Sequence, residues 1–354
     1  MSCVGHPMFG YPTRKAAGDS IGGGSRRRRP SIGIVLGAGA ARGWSHIGAL
    51  HELIAMGVVP NIVVGASAGA VVGGCFAAGR MEQLEAFTLG LTKRRVFGLM
   101  DVSFSGGGLI GGNKLRARLE ESLGGINIED LPIRFASVAT EVGTGHEIWL
   151  KNGPLIDAIC ASYALPGIFA PVRWGGRWLM DGALVNPVPI NVARALGADK
   201  VIAINISSDV LTRGTAIQDP LYFAEKKEPD EARAESDAEK RGGIIQSLSR
   251  GAGLFRRPFA NGADGVPSIA SVMADAFNIT QDRIMRSRLA GDPPDVLITA
   301  RMNKIGLFEF HRAEELIALG REAARRAIDD IREHIDLEPP AQALPAPPSA
   351  AEAR

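Results

Sequence analysis

The chain has 354 residues, of which 45% are hydrophobic and 44 are glycine, and its formal net charge at pH 7 is +2. This length and composition allow one large packed domain or two modest ones, and so small a charge gives no indication of nucleic-acid binding. Three scattered cysteines, Cys3, Cys75 and Cys160, predict neither a disulfide framework nor a metal site, and they favour a reducing compartment.

The N-terminal segment, residues 1–30, is rich in glycine and polar residues and ends in four consecutive arginines at 26–29 and a proline. The apolar run that follows is too short for a secretory or twin-arginine signal. We therefore predict a disordered basic tail, which is either simply solvated or attracted to an anionic membrane surface. The expected location is the cytoplasm, with peripheral membrane contact as the alternative.

The first predicted strand covers residues 31–36 and runs into a loop of small residues, Gly37-Ala38-Gly39-Ala40-Ala41-Arg42-Gly43. A helix at 44–56 and a second strand at 61–64 follow, which predicts a βαβ unit with parallel strands. The loop does not fit a dinucleotide fingerprint, because Arg42 occupies the sixth position, where that motif needs glycine. It does not fit a Walker A loop either, since Gly-Lys-Ser/Thr is absent.

A third interpretation of the glycine-rich loop is an oxyanion hole, in which backbone N–H groups at a helix N-terminus stabilise a developing negative charge. This interpretation fits best with Ser67, which follows the second strand. Arg42 either holds the loop in shape through carbonyl groups or neutralises local charge, and the sequence favours neither role.

The second strand leads into Gly65-Ala66-Ser67-Ala68-Gly69, which matches the G-x-S-x-G nucleophile elbow. Such a turn presents the serine hydroxyl at a helix N-terminus, where free N–H groups favour negative charge. The alternative is a glycine-rich helix packed on a sheet. Residues 53–79 carry no formal charge, but Pro60 and Gly65 interrupt them, so a buried strand and helix are favoured over a membrane span.

Further along the chain, short strands around 174–180 lead into Asp181-Gly182-Ala183. A carboxylate followed by two small residues is either a plain turn or a general base held where the backbone leaves room. The other elements predicted before residue 207 are helices at 81–96, 113–123 (capped by Asn113), 154–163 and from 186, and strands at 134–140, 146–150 and 200–206.

The composition changes at about residue 208. Residues 208–264 are predicted to be a charged insertion outside the core, because segment 224–241 is dominated by charges of both signs. A helix at 269–289, a strand at 295–299 and a long surface helix at 311–334 follow. Residues 336–354 are rich in proline and alanine and are predicted to be a disordered tail. This organisation predicts a single domain over residues 31–335.

Four segments occur in order along the chain: residues 37–43 with His46-Ile47-Gly48-Ala49-Leu50, residues 65–69, residues 161–171 (Ala-Ser-Tyr-Ala-Leu-Pro-Gly-Ile-Phe-Ala-Pro), and residues 181–183. Together they resemble the patatin-like phospholipase family, in its bacterial type related to the catalytic domain of neuropathy target esterase. The resemblance covers residues 31–207 and, more loosely, 268–332. It implies a three-layer α/β/α sandwich around a mostly parallel sheet.

The resemblance also implies a serine lipid acyl hydrolase that cleaves carboxylic esters of phospholipids, lysophospholipids or related acyl esters. Ser67 would be the nucleophile and Asp181 the base of a catalytic dyad, and the backbone N–H groups of Gly39 and Ala40 would form the oxyanion hole. The positions that support these motifs are Gly37, Arg42, Gly43, Gly65, Gly69 and Gly182. No cofactor or metal is implied, and the acyl chain, the head group, hydrolysis against transacylation, and the oligomeric state are left open.

One departure from the family pattern concerns the oxyanion loop, where many members have three consecutive glycines and this chain has Ala38-Gly39-Ala40. Alanine keeps the N–H group but disfavours positive φ, so the hole should survive if positions 38 and 40 need no left-handed backbone. Two alternatives to the dyad remain. One is an α/β-hydrolase triad of Ser67, Asp181 and either His311 or His334; the other is a non-catalytic regulatory protein at a membrane surface.

Overall fold

The computed structural model describes residues 29–99, 108–110, 112–206, 269–302 and 305–335. The charged insertion predicted at 208–264, the tail predicted at 336–354 and all but the last two residues of the N-terminal tail lie outside the described residues. The domain boundaries drawn from the sequence therefore stay predictions.

A mostly parallel β-sheet of eight strands forms the centre of the fold, in the order β10-β9-β1-β2-β4-β8-β7, with β5 also paired to β4. The five strands from β10 to β4 are parallel to one another, whereas β5, β8 and β7 join antiparallel. The strands are β1 Ile32–Leu36, β2 Ile62–Ala66, β4 Arg134–Glu141, β5 Glu147–Leu150, β7 Val172–Trp174, β8 Arg177–Asp181, β9 Lys200–Asn205 and β10 Val296–Thr299. Two short strands, β3 Gly108–Ile110 and β6 Gly167–Phe169, form a separate parallel pair.

Helices flank this sheet on both faces. They are α1 Ser45–Ala55, α2 Ala68–Ala77, α3 Met81–Leu89, α4 Lys93–Leu99, α5 Asn113–Leu123, α6 Leu155–Tyr163, α7 Ile190–Ala195, α8 Ile269–Gly291, α9 Ala313–Arg326 and α10 Ile328–His334. Alternate residues of β1 show the two faces, since side chains along a strand point to opposite sides. Ile34 and Leu36 pack with α1, α2, α6 and α9, and Val35 packs with α7 and α8. The predicted α/β fold class is confirmed.

Several predicted helix bounds are wrong, and each has a local cause. The helix predicted at 81–96 is two helices, α3 and α4, because Gly90, a residue of low helix propensity, is the C-cap of the first. The helix predicted from 186 begins at Ile190, since Pro187 and Pro189 disfavour helical backbone in the residues before them. Asn113 is the first residue of α5, and the residue that caps it is Gly112, whose φ is 74°.

The extent of the predicted surface helix at 311–334 is also wrong. Residues Phe310–Arg312 form a 3-10 turn, and the helix then breaks at Ala327, where an i→i+3 bond to Ala324 tightens the last turn of α9. One face of α9 is buried against α1. The two helices approach so closely that a methyl group at Gly48 would overlap the Ile317 carbonyl, and one at Gly320 would overlap the Ser45 carbonyl.

The uncharged segment 53–79 comprises the end of α1, strand β2 and helix α2, as the sequence favours. Within the described ranges, no helix combines the length and the apolar composition that a membrane crossing requires.

Candidate active site

Ser67 lies in the sharp turn between β2 and α2, and its backbone is strained, with φ 54° and ψ −120°. The turn is tight enough to require glycine on both sides of the serine. A methyl group at Gly65 would overlap the Gly69 carbonyl, and one at Gly69 would overlap the carbonyl of Leu36 in β1. Strand β2 and helix α2 are buried along their whole length, and Ser67 itself is 8% exposed.

The Ser67 hydroxyl donates a hydrogen bond of 2.6 Å to Oδ2 of Asp181, which is 114 residues away in the sequence. The sheet brings the two together, because β4 pairs with β2 on one side and with β8 on the other, and Asp181 is the last residue of β8. The other carboxylate oxygen, Oδ1, accepts from the Ala183 N–H at 2.8 Å. Gly182 lies between them, where a methyl group would overlap the Val138 carbonyl.

Two further hydrogen bonds hold the backbone of Asp181. Its N–H donates to the Ala164 carbonyl at 2.9 Å, and its carbonyl accepts from the Thr140 hydroxyl at 2.8 Å. The side chain is almost completely buried, and this burial raises the pKa of Asp181 to about 7, against the lowering effect of hydrogen bonds from Ser67 and Ala183. A carboxyl group with such a pKa changes its protonation state near neutral pH, which suits a general base.

The loop at residues 37–43 lies beside the elbow, since a methyl group at Gly43 would overlap Cβ of Ala68. Four amides of this loop donate to backbone carbonyls: Gly37 to Ile204 (3.0 Å), Ala38 to Pro187 (2.9 Å), Ala41 to Leu307 (2.9 Å) and Arg42 to Gly39 (3.1 Å). The N–H groups of Gly39 and Ala40 have no acceptor among the described residues. These are the two amides that the family resemblance implies for an oxyanion hole.

Alanine suits this loop only if positions 38 and 40 need no left-handed backbone. The structure meets this condition at position 38 and does not meet it at position 40. Ala40 has a φ of 49°, in the left-handed region that favours glycine, whereas Ala38 has no positive φ. The alanine at position 40 therefore tolerates a backbone that glycine would adopt without strain. Its N–H group is nevertheless present and unused by the described part of the protein.

Ala38 also connects the loop to the elbow and to the turn after β8, because its methyl group packs with those of Ala66 and Ala183. Phe277 of α8 packs against the same cluster from outside. The loop, the elbow and the Asp181 turn thus meet in one place, and an aromatic side chain lies over their junction.

His46 of α1 also supports the loop through a buried hydrogen bond. It is fully buried, and its Nε2 lies 2.8 Å from the Gly37 carbonyl, which can only accept, so Nε2 carries the hydrogen. Burial lowers the pKa of His46 to about 4, so the ring is neutral at physiological pH.

Arg42 lies in the 3-10 turn Ala40–Trp44, and its carbonyl accepts from the Ser45 hydroxyl at 2.7 Å. Its two predicted roles remain alternatives.

The two histidines of the alternative triad are not bonded to the serine or the aspartate. His334 bonds the Asp330 carbonyl at 2.9 Å, and His311 lies in the 3-10 turn before α9. In the described ranges, no histidine makes a hydrogen bond to Ser67 or Asp181. The serine and the carboxylate instead bond each other directly.

Comparisons with known proteins identify the family of the chain. The family model described as patatin-like phospholipase matches residues 34–194, which include Ser67 and Asp181. An uncharacterized NTE family protein of Mycobacterium tuberculosis is 33% identical over 331 residues, covering 85% of this chain and 92% of that protein. The neuropathy target esterase sws of Drosophila melanogaster is 30% identical over 198 residues, covering 54% of this chain and 14% of that protein. Among solved structures, VipD from Legionella pneumophila matches with 14% identity and a TM-score of 0.41, covering 86% of this chain and 67% of that one.

Proposed function

This chain belongs to the patatin-like phospholipase family, and from that premise we propose that it is a serine lipid acyl hydrolase acting through a dyad of Ser67 and Asp181. Its substrates would be phospholipids, lysophospholipids or related acyl esters. The observation that carries the proposal is the 2.6 Å hydrogen bond between a strained elbow serine and a buried carboxylate.

In the first half of the proposed reaction, Asp181 accepts the hydroxyl proton while Ser67 Oγ attacks the ester carbonyl carbon. The carbonyl oxygen becomes an oxyanion, which the N–H groups of Gly39 and Ala40 stabilise. One such donor contributes about 3–4 kcal/mol to transition-state stabilisation in other hydrolases. The C–O bond to the alcohol then breaks, Asp181 returns the proton to the leaving alkoxide, and an acyl-enzyme remains.

In the second half, Asp181 takes a proton from water, and the resulting hydroxide attacks the acyl carbonyl. The Ser67 oxygen leaves, regains the proton from Asp181, and the carboxylic acid is released. The aspartate must be ionised before each half begins, so its raised pKa sets the pH range in which the reaction runs.

The direct bond from Ser67 to Asp181 favours this dyad over a triad, because both carboxylate oxygens already have partners. It also favours an enzyme over a non-catalytic protein at a membrane surface. A regulatory protein has no need of a strained serine beside a buried carboxylate, since such features are costly and persist at functional sites.

The test is to measure labelling by a fluorophosphonate probe and hydrolysis of a panel of acyl esters and phospholipids. The expected result is that the wild type labels and hydrolyses, and that Ser67→Ala abolishes labelling and lowers kcat by at least about a thousandfold. Ser137→Ala is a matched control, because Ser137 is another fully buried serine of this region, and its hydroxyl bonds the Ala158 carbonyl. Undiminished turnover in Ser67→Ala, or a wild type that neither labels nor hydrolyses, would exclude the proposal.

A further inference from the structure

Ser162, the next-to-last residue of α6, makes two buried hydrogen bonds at the elbow. Its hydroxyl accepts from the backbone N–H of Ser67 at 2.9 Å and donates to the Val138 carbonyl at 2.6 Å. The carbonyl can only accept and the amide can only donate, so the direction of both bonds is fixed. The side chain is completely excluded from solvent.

These two bonds connect the elbow to the strand that lies between the two halves of the dyad. Val138 is on β4, where it pairs with Ala66, and the next residue, Ala139, pairs with Asp181 of β8. One hydroxyl thus ties the amide of the strained serine to the strand next to the carboxylate.

The end of α6 contacts the other dyad residue as well. The Ala164 carbonyl, two residues after Ser162, accepts from the Asp181 N–H at 2.9 Å. The backbone amides of Ser67 and Asp181 are therefore both held by the same three-residue segment, 162–164. A shift of this segment would move both amides and change the separation of the two side chains.

We propose that Ser162 is a positioning residue, which fixes the peptide that carries the nucleophile relative to Asp181. The inference rests on the proposed role of Ser67 as the nucleophile. Ser162 does not touch the reacting atoms, so its contribution is geometric: without the hydroxyl, the Ser67 amide is left buried without this acceptor, and the strained turn loses a restraint.

The test compares Ser162→Ala with Ser137→Ala. Both remove a fully buried hydroxyl at the interface of α6 and β4, but the Ser137 hydroxyl bonds the Ala158 carbonyl at 3.2 Å and neither dyad residue. For each variant we would measure kcat and KM on one soluble acyl ester, the second-order rate of fluorophosphonate labelling, and the midpoint of thermal unfolding.

Ser162→Ala is expected to lower kcat and the labelling rate together by about 10- to 100-fold, since small misplacements of reacting groups cost rates of that order. KM should stay within about twofold, because the substrate is bound by other groups. In Ser137→Ala, both rates should stay within about twofold of the wild type, even though a lost buried hydrogen bond lowers the unfolding midpoint. The inference is overturned if the two variants have the same kcat and labelling rate per folded molecule.

A second pair of variants covers the case in which Ser162→Ala does not fold. Cysteine is close to serine in shape but is a weak donor and a weak acceptor, so Ser162→Cys retains the packing and weakens both bonds. It should label more slowly than Ser137→Cys, and equal rates in this pair overturn the inference. If the wild type is active and the two variants of each pair behave alike, only the positioning role of Ser162 is excluded. If the wild type is inactive and does not label, the positioning role and the proposed function are both excluded.

Discussion

Ser67 and Ala40 are the two residues other than glycine with positive φ in the described structure, at 54° and 49°. Backbone in such sparsely populated regions costs an L-residue about 1–3 kcal/mol. At position 67 the side chain explains why glycine is absent, because the hydroxyl bonds Asp181. At position 40 the side chain is a methyl group, and an alanine simply occupies a turn that suits glycine. The strain belongs to the proposed chemistry at one position and to the shape of the loop at the other.

The backbone amides of the two residues also differ in their hydrogen bonding. The amide of Ser67 is bonded to Ser162, so the protein itself restrains the strained turn. The amides of Gly39 and Ala40 have no acceptor within the described residues, and the loop is restrained by its neighbours and by His46. In the proposed reaction the elbow supplies groups that are already hydrogen-bonded in the free protein. The loop supplies N–H groups that become hydrogen-bonded only when the oxyanion forms.

The largest expected effect is on the elbow side, in Asp181→Asn. The amide can keep both hydrogen bonds, with Nδ2 donating to Ser67 and Oδ1 accepting from Ala183, but it cannot take the hydroxyl proton. We expect kcat to fall by at least about a thousandfold while the fold is retained. In the wild type, kcat/KM should rise with pH and level off above about 7, because burial raises the pKa of Asp181 to about 7. A wild-type rate that does not change between pH 5 and 8 would contradict this role.

The same substitution changes stability, with a sign that depends on pH. The pKa of Asp181 is about 7 in the folded protein and 3.8 by reference, so the folded state binds one more proton between these values. Stability from this group therefore falls as pH rises through that window and is lowest above pH 7. Asp181→Asn should be more stable than the wild type at pH 8 by at least about 1 kcal/mol, and the gain should vanish near pH 4. Urea unfolding at pH 8 and at pH 4 measures the difference in unfolding free energy between Asp181→Asn and the wild type. An equal gain in stability at the two pH values would contradict the expected link to the protonation of Asp181.

An intermediate effect is expected on the loop side, at His46. His46→Leu removes the donor to the Gly37 carbonyl, so we expect a stability loss of about 1–3 kcal/mol and a lower kcat. His46→Gln offers an amide N–H in place of Nε2–H and is the matched control, which should recover much of the activity. If both variants have the same kcat, the hydrogen bond to Gly37 does not support the loop.

The pH dependence of His46 has the opposite sign to that of Asp181. Burial lowers the pKa of His46 from 6.5 to about 4, so the folded state binds fewer protons between these values. Its contribution to stability is present above pH 6.5 and is lost as pH falls toward 4. His46→Gln should therefore lose less stability than the wild type when the pH is lowered from 7 to 4, as urea unfolding would report.

The contrast between elbow and loop also marks how far the sequence could predict the site. Gly65 and Gly69 around Ser67 form a local pattern, and the order of the first strands and helices predicts a βαβ unit with parallel strands. The mostly parallel sheet as a whole is implied only by the family resemblance. The pairing of Ser67 with a partner 114 residues away is implied only by the four segments that resemble a family, since no local pattern specifies a contact across β4.

Other parts of the site depend on packing that the sequence does not display. Ser162 belongs to the third of those segments, yet its role follows only from the direction of a buried hydroxyl between α6 and β4. His46 has an ordinary position in α1, and nothing near it in the sequence indicates the Gly37 carbonyl. The burial of α9 on α1 likewise depends on the close approach of two segments far apart in the sequence, at Gly48 and Gly320.

The smallest expected effect tests the comparison most directly, through glycine substitutions at the two alanines of the loop. Ala40→Gly removes the strain of a left-handed alanine, which raises the free energy of unfolding by about 1–2 kcal/mol. It also gives the unfolded chain more conformational freedom, which lowers the free energy of unfolding by about 0.4–1 kcal/mol. The net change should be a gain of up to about 1.6 kcal/mol. Ala38→Gly has no strain to relieve and removes a buried methyl group packed on Ala66 and Ala183, so it should lose about 1 kcal/mol or more.

The same substitution two residues apart should thus change the free energy of unfolding in opposite directions, which urea unfolding at pH 7 can resolve. The kcat of Ala40→Gly should remain within about twofold of the wild type, because glycine retains the N–H group that the oxyanion needs. If Ala40→Gly is as destabilising as Ala38→Gly, the backbone at position 40 is not strained in the way described. If it folds well but loses kcat more than tenfold, the methyl group itself orders the hole, and the alanine would then be needed for the chemistry as Ser67 is.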